Sequence, residues 1–410
     1  MTEDSAHRLT TAEAADLLGV KAATVYAYVS RGRLTRRPGE SGRGSTFDAA
    51  EVEALARRSR RESAAPQGEL SVRTALTLIE GDRYFFRGVD ATELAASHPF
   101  EQVAEWLWTG ASAPGAHFTA PPDALAAARR AAGALPPHSG PTDRLRVAAV
   151  AAAVADPLRF DLSTDAVLGT ARALIPTLVG ALTPGEGTEG EAGGDASVAL
   201  RLWTALSERE PDPAAVRCLD TALALLVDHD LAASTLAARV AASARSHPYA
   251  VVSAGLGALD GPLHGAASAL AHRMLVEVTE RGAAPVVADR LRAGQRVPGL
   301  GHRLYAAEDP RARLLFELLD GLPQAAPALA AARDVVATTA RHTVLPANVD
   351  LALAVLTVGA GMSAEAGEAI FAVARTAGWI AHALEEYGER PLRMRPSGTY
   401  IGPRPPLPPP

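Results

Sequence analysis

Apolar positions recur at helical spacing along most of this chain, and they divide it into a short leading segment and a long remainder. From about Val72 onward, alanine- and leucine-rich stretches follow one another and predict a succession of packed helices. Within that remainder, Thr77 to Gly88 stands out as a short hairpin. Ahead of it, Thr10 and Glu13 have capping-box spacing before AADLLGV, Gly19 supplies a tight turn, and KAATVYAYVSRGRL follows as a second short helix. Ala22, Val25 and Val29 form one stripe of that helix, and Lys21, Thr24, Tyr28 and Arg31 form the neighbouring polar one. RGRLTRRPGESGR and STFDAAEVEALARR then predict a small wing and a third helix. SAAPQGE, from Ser63 to Glu69, reads as a linker. The acidic, glycine-rich run from Pro184 to Ala196 cannot bury apolar surface and is expected to be a mobile loop, and the tail PRPPLPPP is expected to be extended.

Composition narrows the class. Of 410 residues, 48% are hydrophobic but only 5% aromatic, so the core must be built from alanine, leucine and valine, which favours close-packed helices over a large sheet. A formal charge of −6 argues against a surface coated for nucleic acid, so any DNA contact must be local. The single cysteine, Cys218, rules out an intrachain disulfide and a cysteine-based metal cluster. No signal peptide is apparent, and a reducing cytoplasm is the expected location. The apolar run after Asp350 falls short of the roughly 20 residues that span a bilayer, so no membrane segment is expected. GLGALDG at Gly255 has the wrong spacing for a dinucleotide fingerprint and there is no P-loop, which sets aside dehydrogenase and kinase readings.

The chemistry is concentrated in three glycine- and proline-bent segments: GPLHG (Gly261 to Gly265), PGLGHRLYAAEDPR (Pro298 to Arg311) and PANVD ending at Asp350. Removing a proton from the carbon beside a carbonyl needs a base, and a donor to the oxygen where charge develops. Asp350 suits the base and one imidazole the donor. The other imidazole can polarise a second carbonyl, which the resulting enol attacks. Substrate carboxylates would call for guanidinium forks, for which Arg311, Arg375 and Arg395 are available.

These pieces, in this order, resemble the citrate synthase family from about Arg73 to Gly402. TLIEGDRYFFRGVDATELA, FEQVAEWLWTG, DHDLAASTLAAR and ARTAGWIAHALE add to the likeness. The resemblance implies a mostly α, two-domain helical fold and the condensation of acetyl-CoA with oxaloacetate to citrate and CoA, a tricarboxylic acid cycle reaction. It makes His264 the donor to the enol, Asp350 the base and His302 the group that polarises oxaloacetate. It places His229, Arg311 and Arg375 around oxaloacetate, with Arg395 reaching in from the partner of a homodimer. Coenzyme A would lie against the turn Val297, Pro298, Gly299, Leu300 and Gly301, and no bound cofactor or metal is implied. By alignment the large domain would comprise residues 72–265 and 372–404, and the small domain 266–371, with His264 at the hinge.

Departures from the pattern bear on substrate. Ala232 stands where the family usually has asparagine, Ala347 splits the usual proline-asparagine pair, the run after Asp350 is unusually aliphatic, and RPS at Arg395 to Ser397 replaces R-P-R. Propionyl-CoA, giving 2-methylcitrate, therefore stays in play. The leading segment, Arg8 to about Arg61, resembles a winged helix-turn-helix of the MerR and excisionase type, with residues 1–62 as its domain and 63–71 as linker. That resemblance implies DNA binding through residues 8–61, with Arg36 and Arg43 near phosphates. A packing or dimerisation module is the alternative, and a metabolite-sensing DNA-binding regulator built on a synthase fold is the rival from another class.

Overall fold

The computed structural model describes residues 8–18, 20, 22–30, 34–38, 45–52, 55, 71–183, 196–261, 264–397 and 401. The sequence expectations for Gly19, Lys21, Arg31, Arg43, residues 63–69, the 184–195 insertion and the last nine residues lie outside this set. Chain contacts separate two units, residues 1–73 and 74–410.

In the first unit three short strands form an antiparallel sheet. Strand β1 (Arg8–Thr10) and β2 (Arg37–Pro38) flank β3 (Ser45–Asp48), with Leu9 opposite Phe47. Strand β1 was not anticipated from the sequence, while β2 and β3 are the expected wing. The helices Thr11–Leu18 and Ala22–Ser30 follow β1. The capping box forms: the Thr10 amide donates to Glu13 Oε2 at 2.7 Å, and the Glu13 amide to Thr10 Oγ1 at 3.3 Å. The core consists of Ala14, Ala15, Val25, Leu34, Phe47, Val52 and Leu55. Tyr28 corrects the sequence reading. It packs against this core with Val29, and Tyr26 is the exposed aromatic instead, its hydroxyl 3.3 Å from Thr11 Oγ1. The reason is geometric, because Tyr28 lies one helical turn from Val25 and a unit with so few apolar residues recruits a wider face.

The second unit is helical apart from the expected hairpin, in which β4 (Thr77–Glu80) pairs with β5 (Arg83–Phe86), and β5 with β6 (Val89–Asp90). Gly81 and Asp82 both have positive φ, +60° and +56°, the conformation a two-residue hairpin turn demands. The Asp90 carboxylate then caps the helix Ala91–Ser97 through the amides of Thr92 and Glu93.

The helix Ala366–Gly388 is the organising element, buried along most of its length and packed against Phe100–Thr109, Thr164–Gly180, Pro213–Leu226, Ala233–Ser243 and Pro248–Leu259. Small residues make this density possible. A Cβ on Gly378 would lie 2.1 Å from the carbonyl oxygen of Val227, and one on Gly255 would strike the Trp379 ring at 2.6 Å. The close approach at Gly378 draws Arg375 and His382, on the same helix, onto the segment Leu226–His229. The helices Ala267–Arg281, Ala283–Arg292, Ala326–Ala340 and Val349–Gly359 pack largely on one another.

Candidate active site

The turn at residues 297–301 is tied to the start of the Val349–Gly359 helix. Gly301 donates its amide to the Pro346 carbonyl at 2.7 Å, Asn348 donates to Gly299 at 2.9 Å, and Leu300 pairs with Ala347 as a β-bridge. Gly299 has φ +81°, and a Cβ there would lie 2.7 Å from Leu351 Cβ, so only glycine fits. The Asn348 side chain serves both sides. Its Nδ2 donates to the Gly301 carbonyl, and its Oδ1 accepts from the amides of Asp350 and Leu351. One residue thus fixes His302's turn relative to Asp350.

His302 accepts a hydrogen bond at Nδ1 from the Leu304 amide, 3.1 Å away. Burial, helped by the Arg311 charge, pushes its pKa down to about 4, so the ring is neutral near pH 7 and its proton sits on Nε2 as a donor. His229 is buried, bonds the Tyr305 hydroxyl through Nε2 at 2.7 Å, and meets His302 edge to face at 5.2 Å. Burial holds its pKa well below the usual histidine value, with Arg311, Arg375 and His302 acting the same way.

Arg311 is buried and forks onto Asp309, Nε to Oδ1 at 2.9 Å and Nη2 to Oδ2 at 2.8 Å. Asp309 also caps its own helix at the Arg311 amide and accepts from the Val349 amide, so this carboxylate locks the arginine beside the start of Asp350's helix. Burial pushes Asp350 up to about 6; Arg311 opposes the rise and Asp309 adds to it.

His264 lies between the helices Pro248–Leu259 and Ala267–Arg281, with Nε2 2.7 Å from Ser234 Oγ. Burial and then Arg375 lower its pKa, so this ring too is neutral. Its ring meets that of Phe371 at 79° with centres 6.0 Å apart, and the Arg375 guanidinium lies 4.4 Å from the Phe371 ring centre. Arg375 donates from Nε to the Leu226 carbonyl, and burial draws it down to about 10, against the pull of Asp228.

Behind these groups runs a buried polar chain. Asp228 accepts from Thr77 Oγ1 at 2.5 Å and bonds His382 Nε2 at 3.1 Å. Arg239, fully buried, holds His382 Nδ1, Glu385 and Glu386 together, and Arg393 joins Glu386 from the turn that follows. Because Arg239 can only donate, His382 Nδ1 must accept, which places the His382 proton on Nε2 toward Asp228. Glu385 also accepts from the Ala75 amide, 2.8 Å away.

His229, His302, Arg311 and Asp350 therefore form one cluster, and His264 with Arg375 a second one, linked to the first through the Arg375 charge on His229. No hydrogen bond or ring contact joins His264 to Asp350 among the described residues. Arg395 is not brought to either cluster by its own chain; it is exposed. Of the proposed turn, Val297 and Gly299 are buried, and Pro298, Leu300 and Gly301 are half-buried. Sequence reading missed Tyr305, Asp309, Asn348 and Ser234. Asp309 and Asn348 carried a readable signal, a capping residue ahead of a helix, and for Asp309 also the following proline at the first helical position.

Fold and site together define a helical protein with a small helix-turn-helix unit and a larger unit built around neutral imidazoles, a carboxyl group and buried guanidinium groups. Residues 65–397 match the family profile "Citrate synthase, C-terminal domain", and residues 8–60 match "Helix-turn-helix domain". The chain is 32% identical to the citrate synthase of Haloferax volcanii over 359 residues, 82% of this chain and 94% of that protein. It is 36% identical over 216 residues to citrate synthase 2 of Bacillus subtilis, 51% of this chain and 57% of that protein. Among solved structures, citrate synthase from Pyrobaculum aerophilum superposes with TM-score 0.70 at 26% identity, covering 83% of this chain and 92% of that one. The chain belongs to the citrate synthase family, a family of condensing enzymes. No helix among the described residues is long and apolar enough to cross a membrane.

Proposed function

We propose that the larger unit condenses acetyl-CoA with oxaloacetate to give citrate and CoA. The observation that carries this reading is the pair of bonds by which Asn348 ties the turn before His302 to the amide of Asp350, with Nε2 left to His302 as its donor and the buried Asp350 carboxyl raised to about 6. A weakly acidic carboxyl suits the removal of a proton from a thioester methyl, because its conjugate base is stronger than an ordinary carboxylate. In this reading Asp350 takes the methyl proton while His264 donates to the thioester oxygen. Ser234 supports that role by donating to Nε2, which leaves the His264 proton on Nδ1. His302 polarises the oxaloacetate ketone, and His229, Arg311 and Arg375 receive its carboxylates. The turn 297–301 receives CoA, and residues 266–371 close as the small domain over the rest.

The dimer belongs to the same proposal. Val150 and Val154, one turn apart on the helix Pro141–Ala155, are 57% and 74% exposed, and Leu158 and Phe160 beyond it are 76% and 67% exposed. A patch of this kind suits a second copy of the chain. Arg395, exposed on its own chain, would enter the partner's site.

Propionyl-CoA is the competing acyl donor. The aliphatic run after Asp350, Leu351 to Val355, is packed in the core. Thiol release measured with oxaloacetate and a panel of acyl-CoAs tests the proposal; activity with acetyl-CoA foremost is expected, and silence with every donor would overturn it. Mixing inactive Arg395→Ala subunits with inactive Asp350→Ala subunits should restore part of the activity, whereas heterodimers that stay silent would remove Arg395 from the partner's site.

For the first unit we propose DNA binding, supported by the wing, the exposed Arg36 and the exposed Tyr26 on the second helix.

A further inference from the structure

The segment from His302 to Asp309 has no regular structure, yet it carries His302 and Tyr305 and leads into Arg311. Its position must therefore come from side-chain anchors. Two lie within the cluster already described, Tyr305 on His229 and Asp309 on Arg311. The third comes from a segment more than two hundred positions earlier in the chain. Asp82, at the tip of the Thr77–Phe86 hairpin, accepts the Ala306 amide on Oδ1 at 2.7 Å and the Ala307 amide on Oδ2 at 3.1 Å.

The hairpin turn itself does not need this side chain. Its central residues require positive φ, and glycine provides that at no steric cost, as Gly81 does next door. An aspartate there tolerates the conformation less well than glycine but brings a carboxylate, and it sits on two successive amides of the loop that bears His302. The hairpin is in turn fixed to the cluster: the Tyr84 ring is buried 5.9 Å from His229 and its hydroxyl donates to the Leu225 carbonyl, while Thr77 donates to Asp228.

We propose that Asp82 is a positioning residue for the condensation, acting through the Ala306 and Ala307 amides to hold His302 and Tyr305 in register with His229. The inference rests on the functional reading given above. It predicts that the hairpin tip sets how well the second carbonyl substrate is polarised, although Asp82 itself touches no reacting atom.

Asp82→Gly is the discriminating variant, because it relaxes the turn while removing the carboxylate. Thiol release should fall about tenfold in kcat/KM, with a raised KM for oxaloacetate, and backbone amide exchange of a peptide spanning residues 303–309 should accelerate. Asp82→Asn, which keeps one acceptor oxygen and tolerates the turn, should recover part of both readouts. Arg83→Ala, which removes the neighbouring ion pair with Asp90 and the guanidinium contact with the Phe85 ring but leaves the Asp82 carboxylate in place, should leave both unchanged. Unchanged turnover or unchanged loop exchange in Asp82→Gly overturns the proposal. Should the wild-type protein release no thiol with any acyl-CoA, the functional reading fails, and with it the catalytic consequence, while the exchange measurement still decides whether Asp82 anchors the loop.

Discussion

The two units bury different things. Among its described residues the helix-turn-helix unit buries seven apolar side chains and one polar one, Ser45, and its charged groups stay at the surface, as in the Thr10–Glu13 box and the Thr35–Glu51 contact. The larger unit buries Asp228, Arg239, Asp309, Arg311, Arg375 and Glu386, each at 3% exposure or less. Removing such charges from water costs several kcal/mol per ion unless partners satisfy them, so only a unit with a large surrounding core can carry them. The comparison teaches where chemistry can reside: a small core supports a surface that binds, and a large one supports an interior that reacts.

The largest effect should come from the residue that sets this contrast most sharply. Asp350→Asn is expected to lower turnover by roughly 10²–10⁴-fold, the range for loss of a general base. The same change should raise stability at pH 7–8. Asp350 has its folded-state pKa raised from 3.8 to about 6, so the folded chain disfavours the ionised form. The penalty is absent below about pH 4, grows as pH rises, and is complete above about pH 6. On the order of 2–3 kcal/mol is at stake for a shift of this size, and the stabilisation of the Asn variant should vanish at pH 4 in thermal melts. In the wild type, kcat/KM should fall on acidification through about pH 6 while His302, with a pKa of about 4, stays neutral.

Next in size is Gly378→Ala. The added methyl would meet the Val227 carbonyl at 2.1 Å, which must push the long helix away from Leu226–His229. Overpacking of this kind costs about 1–3 kcal/mol, occasionally more. Activity should fall further than stability does, since Arg375 and His229 lie on the two segments that this contact joins. Wild-type turnover in a folded Gly378→Ala protein would show that the close approach does not set the site.

Removing residues before Glu69 should sharpen the comparison without disturbing the larger unit: thiol release is retained, and salt-sensitive retention on DNA is lost. Selection of genomic fragments by the intact protein is the measurement, and no enrichment at low salt would leave the first unit as a packing module. The smallest effect concerns Ala232, which occupies the cap position of the helix Ala233–Ser243 without a side-chain bond. Ala232→Asn should stabilise by about 1 kcal/mol in denaturant titration, the usual value of a restored cap.

How much of this was legible in the sequence varied with the range of the interaction that decides each feature. The hairpin, the capping box and the wing are local, and spacing alone located them. The histidines, Asp350 and the arginines could be singled out because the family resemblance orders them, and the fold brings all but Arg395 into the two clusters. Tyr28 was misassigned because the width of the packed face depends on Leu34 and Phe47, which the periodicity of one helix does not contain. Tyr305 and Ser234 were passed over because each becomes meaningful only when a distant segment, His229 or His264, folds against it. Asp82 was the least legible, a turn residue by its neighbours and an anchor only through amides 224 and 225 positions away.

The bond from the Ala75 amide to Glu385 closes a loop of 310 residues. During synthesis at about 5–20 residues per second, roughly 15–60 s pass between the two ends of that bond leaving the ribosome's catalytic centre. The helix-turn-helix unit, whose described core residues run from Ala14 to Leu55, can fold in that interval. The larger unit cannot, because its central helix and the acidic pair that pins Arg239 are made after the helices they pack against. The nascent chain therefore exposes many alanine- and leucine-rich helices before their common partner arrives, and this protein's exposure to misfolding is set by when one late helix is delivered.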